Sequence, residues 1–549
     1  MRIKIVAVLL SLLLILGLLP ACNNGEKEEE GGLTGYDDEA ELSAPSADDE
    51  NYIFLYDRDY KSLDELRASL QFDLISGQDI LDAYAEQGDA AKVHPRVFAS
   101  EDRLQEIRDE METSERQQTL YQSVKRRADE VLDLAVPSYD DSDPQRLAAV
   151  HTYGPGLMDA AFYYTLNPER EDTESETYTK YFQKSLEYVK AICNFKDWNV
   201  SHALDTFVAT ASIGIYYDVM YEYLSDADRT LIRNAIIEKG IMEYINSAAT
   251  DASNATNSEE LIGTAGGHWS TYLNNWNGVC NGGFLAGALA VLGDDTAKIS
   301  NDLLARTMAK AWNNTSFLLR TYYPDGVSEE GYMYWEYAMM YLELGWLGFD
   351  NMLGTTFGWM ENEVMEKCAY GSMYESGPVI GSNVGDDTVK TTPSSTRISL
   401  AYLLDKGDVQ QYRFQTLRED KSTWREMLCY QSKYDTGEEV TVDTYGDYYV
   451  RGLENVNLRS GYDTDSLFAS VHVGANNVSH GHLDAGQFDL QGNGVTFVYG
   501  SLGRDDYNLV PGYFNTAEIP AYDGEITGTQ TAAARNNIYR IRTESKSAV

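Results

Sequence analysis

Residues 203–223 read ALDTFVATASIGIYYDVMYEY. Apolar side chains recur there at spacings of three and four, and Leu224-Ser225-Asp226 punctuates the end, so the stretch predicts an amphipathic helix. The same pattern repeats on either side. Tyr178–Phe195, Asp226–Tyr244, Asn281–Leu292, Asp302–Leu319, Glu336–Leu353 and Ser395–Leu404 each carry it and each ends near Gly, Pro, Asn or Asp. No strand alternates with these helices, which argues against a parallel sheet. Paired helices from about residue 94 to about 431, with aromatic-rich loops between them, predict an α/α toroid, an incomplete helical barrel.

Beyond Gln431 the texture changes. Asp447–Arg451, Leu467–Val473, Gly494–Tyr499 and Ile538–Arg542 are β-branched and aromatic runs bounded by Gly, Asn and Asp, which predicts an antiparallel β domain. The expected fold is therefore α+β and multidomain, with the toroid followed by an antiparallel β-sandwich. The strands before Val549 are too few to close a sandwich, so that domain is expected to be truncated.

The N-terminus reads as an export signal. Arg2 and Lys4 precede an apolar run, Ile5–Leu19, that is short for a membrane-spanning helix. Leu19-Pro20-Ala21-Cys22 has the form of a bacterial lipobox, which predicts cleavage before Cys22, lipidation of its thiol and tethering outside the cytoplasm; a plain cleaved signal peptide is the simpler reading. The expected boundaries are a signal at 1–21, a disordered acidic linker at 22–60, a helical lead-in at 61–93, the toroid at 94–431 and the β domain at 432–549. The linker follows from runs such as Glu28-Glu29-Glu30 and Asp48-Asp49-Glu50, which repel one another and bury nothing. With 43 basic against 87 acidic residues, the formal charge of -44 argues against nucleic-acid binding. The four cysteines left after Cys22, namely Cys193, Cys280, Cys368 and Cys429, show no paired spacing and read as buried thiols.

Ser479-His480-Gly481-His482-Leu483-Asp484-Ala485-Gly486 concentrates the chemistry. On an extended strand His480 and His482 would leave from one face, and imidazole suits both proton transfer and metal ligation. A polar turn between two strands would use the same letters.

Taken together, several motifs in order resemble the heparinase II/III-like polysaccharide lyases. They are His94-Pro95-Arg96, Tyr216–Ser225, Asn274-Asn275-Trp276-Asn277-Gly278-Val279-Cys280-Asn281-Gly282-Gly283, Tyr323–Trp335, Ser479–Gly486, and Asp505-Asp506-Tyr507-Asn508 through Gly512-Tyr513-Phe514. The resemblance spans roughly residues 94–549. It implies a lipid-anchored, extracytoplasmic enzyme that cleaves a uronate-containing acidic polysaccharide, glycosaminoglycan- or alginate-like, by β-elimination. Such a reaction must neutralise the uronate carboxylate and stabilise an enolate-like intermediate with preorganised donors.

On this resemblance Asn275 neutralises the carboxylate, Tyr334 serves as acid, base or both, and His480 is the second proton-transfer or carboxylate-binding group. His268, Trp269, Trp276, Asn277, Glu329 and Trp335 are the expected substrate-binding residues, although the Asn run also suits a helix cap and an aromatic at helical spacing is more often core. No cofactor is expected with certainty. Some members of the family hold a structural zinc, for which His482 would be one ligand. Ser501 and Lys546 stand where the other two ligands would fall, and a lone imidazole makes a poor zinc site; Asp484, Asp505 or Asp506 are the substitutes on offer. Two other functions stay open: a surface glycan-binding lipoprotein, and an α/α-barrel hydrolase drawing its carboxylates from Asp325, Glu329 and Glu330.

Overall fold

Successive helices pack side by side into a closed circuit. In the computed structural model, which describes residues 63–70, 73–139, 148–247, 268–386, 395–416, 422–474, 478–482 and 484–498, Glu115–Leu132 packs on Ala148–Leu166, which packs on Ala203–Met220. Ala203–Met220 lies against Asn275–Val291, and that helix against Tyr332–Leu353. Ser395–Leu403 follows, then Trp424–Cys429, which returns to Glu115–Leu132. A second layer includes Asn301–Thr315 against Asn275–Val291, and Glu363–Tyr374 against Ser395–Leu403. The lead-in helix Gly77–Glu86 joins that layer by packing on Asn301–Thr315.

The inner helices are not amphipathic, contrary to the sequence reading. Every residue of Ala203–Met220 is buried, as is nearly all of Asn275–Val291, because each inner helix has neighbours on both flanks and at its back. Two glycines set how closely they approach. A Cβ on Gly282 would lie 2.2 Å from the Tyr341 carbonyl oxygen, and one on Gly283 would lie 2.4 Å from that of Phe207.

The His94-Pro95-Arg96 motif locks the lead-in onto this frame. Asp218 accepts from the backbone N–H groups of Arg96 and Val97 and pairs with His94 Nδ1 at 2.7 Å. His94 also stacks on Tyr221, 4.0 Å between ring centres.

Among the described residues five short strands form one antiparallel meander in the order β1-β2-β3-β4-β5: β1 Tyr448–Val450, β2 Asn455–Arg459, β3 Phe468–His472, β4 Phe488–Gly492 and β5 Val495–Val498. The sequence reading missed β2 and β4, whose buried positions are largely polar. Asn455 and Asn457 donate to the buried Glu375, and Arg459 donates to the carbonyls of Met373, Tyr374 and Ser376. In β4, Gln491 accepts from the N–H groups of Val379 and Ile380, and Asp489 from that of Asn383. This polar face therefore grips the loop that follows Glu363–Tyr374.

Cys193, Cys280, Cys368 and Cys429 are buried thiols. No described helix is long and apolar enough to cross a membrane. The signal at 1–21, Cys22, the acidic linker, Ser501, Asp505, Asp506, Lys546 and the strand expected at 538–542 all lie outside the described residues.

Candidate active site

Asn274 caps the Asn275–Val291 helix by accepting from Trp276 N–H, which leaves Asn275 buried in the first turn. The run thus holds the cap, Asn274, beside the candidate residue Asn275. Asn275 donates twice to Glu330, from its backbone N at 2.6 Å and from Nδ2 at 2.9 Å. Burial pushes the Glu330 carboxyl up to about 7, against the pull of those two donors and of Ser479. At neutral pH it is therefore balanced between acid and carboxylate.

His480 reaches the same place from the β3–β4 connection. Its Nε2 lies 3.8 Å from Glu330 Oε1, and its ring lies on that of Tyr334 with centres 3.7 Å apart and planes 10° from parallel. Tyr334 is in the first turn of Tyr332–Leu353 and is half-buried. Asn275, Glu330, Tyr334 and His480, from three separate segments, are thereby gathered into one cluster.

Behind His480 stands Asp386, which no sequence pattern marked. Its Oδ2 pairs with His480 Nδ1 at 2.8 Å and its Oδ1 with His482 Nε2 at 2.6 Å. Burial raises the Asp386 carboxyl, but the hydrogen bonds from the two histidines outweigh that and hold it below its ordinary range. The two rings do converge, though not by strand alternation: His480 has φ of +61°, in the left-handed region, so the motif is a turn. Asp386 N–H donates to His480 O, and Gly385 N–H donates to Asp484 Oδ2 at 2.8 Å. Gly385 has φ of +60°, and a Cβ there would sit 2.3 Å from His480 O, so this approach requires glycine.

The remaining expected residues divide. Trp276 and Glu329 are half-buried at the site's margin. His268 is also half-buried, but its Nδ1 accepts from Ser270 N–H, and burial holds its imidazole below its ordinary pKa. Trp269 packs on Phe207 and Tyr244. Asn277 and Trp335 have no exposed surface, which corrects their expected role in binding substrate. Asn277 Nδ2 donates to Asn314 O and its Oδ1 accepts from Asn281, while Trp335 stacks on Tyr332 in the core. Asp325, one of the hydrolase candidates, accepts from Arg451, Gly452 and Tyr448 and so ties the sheet to the helices.

For a metal, His482 and Asp386 are two potential ligands. No group of three His, Cys, Asp or Glu is arranged to hold an ion among the described residues. Asp484 is committed to Gly385 N–H. The described donor set is thus short of the three or four protein ligands zinc takes, and no step is derived through a metal.

No protein-family model and no curated protein matches the chain. Among solved structures it is similar to the heparan sulfate lyase HepC from Pedobacter heparinus, at 14% identity over 82% of this chain and 71% of that one, with a TM-score of 0.39. It is similar to a heparinase III, at 12% identity over 84% of this chain and 70% of that one, with a TM-score of 0.39. A Streptomyces coelicolor chondroitin AC lyase in complex with chondroitin sulphate also matches, at 11% identity over 68% of this chain and 57% of that one, with a TM-score of 0.37. All three are polysaccharide lyases. At such identities likeness concerns fold alone, and at such TM-scores it adds no weight to the architecture described above.

Proposed function

We propose that this protein is a polysaccharide lyase that cleaves a uronate-containing acidic chain by β-elimination. The observation that carries the reading is the stacked Tyr334–His480 pair set against Asn275 and Glu330. In elimination the proton on carbon 5 is removed, the bond from carbon 4 to the glycosidic oxygen breaks, and a double bond forms between the two carbons. His480 is suited to take the first proton through Nε2, since Asp386 accepts from Nδ1–H and stabilises the imidazolium that forms. Tyr334, stacked on it, returns a proton to the departing oxygen. Asn275 keeps a second amide N–H for the uronate carboxylate, and Glu330 in its acid form is a donor to the same group. A hydrolase instead needs two carboxylates acting on one bond, and Asp325 is engaged elsewhere.

The test is incubation with a panel of uronate polysaccharides, followed by ultraviolet absorbance of the unsaturated product. Tyr334→Phe and His480→Ala are each expected to lower kcat by more than about a thousandfold while leaving the circular dichroism unchanged. Normal turnover in either variant removes that residue from the mechanism. Cleavage without the double bond would mean a hydrolase, and binding without product a glycan-binding protein. We further infer that the chain is tethered outside the cytoplasm through lipidated Cys22, which mass spectrometry of the N-terminal peptide tests.

A further inference from the structure

A second cluster borders the first. Asp205, in the first turn of Ala203–Met220, is wholly buried, yet three groups meet on its carboxylate. Asn199 Nδ2 donates to Oδ2 at 2.6 Å, His202 Nδ1 lies 2.9 Å from Oδ1, and His151 Nε2 lies 3.6 Å from Oδ1. The two imidazoles are not buried with it: their side chains are 39% and 37% exposed.

Their neighbours connect them to the site already described. Trp276, next in sequence to Asn275, stands edge-on to His202 with centres 5.0 Å apart. Tyr337, one turn beyond Tyr334 on the same helix, lies 6.4 Å from His151. Two exposed rings anchored on one buried carboxylate thus flank the residues immediately beyond the proton-transfer pair.

Holding the carboxylate alone does not account for this. Asn199 and the adjacent His202 already serve Asp205 from its own stretch of chain, whereas His151 comes from the Ala148–Leu166 helix and keeps much of its ring in solvent. A chain with 87 acidic and 43 basic residues needs local cations wherever it holds a polyanion. His202 Nδ1 is within hydrogen-bond distance of Asp205 and His151 Nε2 faces the same oxygen at 3.6 Å, so each ring turns one nitrogen to the carboxylate and has a second with which to meet an anion.

We propose that His151 and His202 form an anion subsite that takes a carboxylate or sulfate on a sugar neighbouring the one cleaved, with Trp276 as the apolar wall beside it. The subsite rests on the reading of this cleft as a polysaccharide site, but not on the elimination chemistry.

Calorimetric titration of full-length protein carrying Tyr334→Phe, so that nothing is consumed, tests it with three hexasaccharides: an unsulfated uronate, a sulfated glycosaminoglycan, and a carboxyl-reduced neutral counterpart of the first. Adding His151→Gln and His202→Gln together is expected to weaken binding of an acidic ligand about tenfold and to leave the neutral one unchanged. The acidic ligand that loses more identifies the substituent as carboxylate or sulfate. The single His151→Gln, which leaves the helix start at His202 intact, is expected to give a smaller loss with the same selectivity and separates ligand contact from folding. In the Tyr334 background, equal weakening of acidic and neutral ligands, unchanged affinity for all three, or no binding of any overturns the subsite.

With Tyr334 restored, the histidine variants are expected to raise KM more than they lower kcat. If the protein makes no unsaturated product but binding still depends on the histidines, the lyase reading falls and the subsite stands. If product forms with an unaltered KM in the double variant, the reverse holds.

Discussion

Glu330 is the side chain whose environment departs furthest from what its sequence position indicates. The sequence offers it only as a candidate hydrolytic carboxylate, whereas in the fold it is 2% exposed, with both oxygens on Asn275. A carboxyl pushed up to about 7 from 4.5 binds more protons folded than unfolded across that interval. The stability it contributes is therefore complete below about pH 4.5, is lost as pH rises through about 7, and levels off above it. The full loss amounts to roughly 3 kcal/mol at most. Glu330→Gln is expected to reduce that slope: the difference in urea stability between pH 5 and pH 8 shrinks in the variant, and an identical slope would show that Glu330 ionises freely. On the proposed mechanism the same change removes a titrating donor to the substrate carboxylate, so kcat should fall by about tenfold to a hundredfold.

The element that sets Asp386 against His480 and His482 is the loop from Glu375 to Asp386. Nothing in its residues marks it as functional; its placement comes from β2 and β4, whose buried Arg, Asp and Gln side chains bond its backbone and whose Asn side chains hold the Glu375 carboxylate. Gly385 is where the loop meets the histidine turn. Gly385→Ala would force a left-handed conformation on alanine, at about 1–2 kcal/mol, and would drive a methyl into His480 O. The expected result is a cooperative fold with a thermal midpoint lowered by several degrees and a kcat reduced more than about tenfold, because His480 is displaced from Tyr334. Unchanged kinetics would mean that the turn adapts without moving the ring.

On the scale of the whole molecule, two features are exposed to experiment. The helical circuit is closed by the short Trp424–Cys429 segment, where the Trp424 ring stacks on Phe162 with centres 4.6 Å apart and the Trp424 backbone N–H donates to Asp159. Asp159 is also bound by Arg127, so three segments meet at one buried point. Trp424→Ala is expected to cost about 3–5 kcal/mol in chemical denaturation; a loss under about 1 kcal/mol would show that closure matters little. The second feature is charge. With a formal -44, the protein repels an acidic polysaccharide at long range. Raising ionic strength from about 10 mM to about 150 mM shortens the screening length to about 8 Å, and kcat/KM should rise. A fall would mean that local attractive contacts at the site outweigh the net charge in the approach.

Periodicity in the sequence determined that the chain is helical and then β, since a helix 22 residues long such as Tyr332–Leu353 leaves a pattern that survives without its neighbours. Asn275, Tyr334 and His480 were legible as candidates in ordered motifs, and the Asn run as suited to a helix cap. β2 and β4 were not legible, because strands that bury polar residues against a loop lack the alternation that marks a half-buried sheet. Asn277 and Trp335 looked like site residues because helical spacing does not say which face meets the cleft. Asp386, the protonation balance of Glu330 and the His151–His202–Asp205 cluster were decided by tertiary structure alone. Each joins residues distant in sequence, and a carboxyl's pKa depends on what burial places around it, not on its position in the chain.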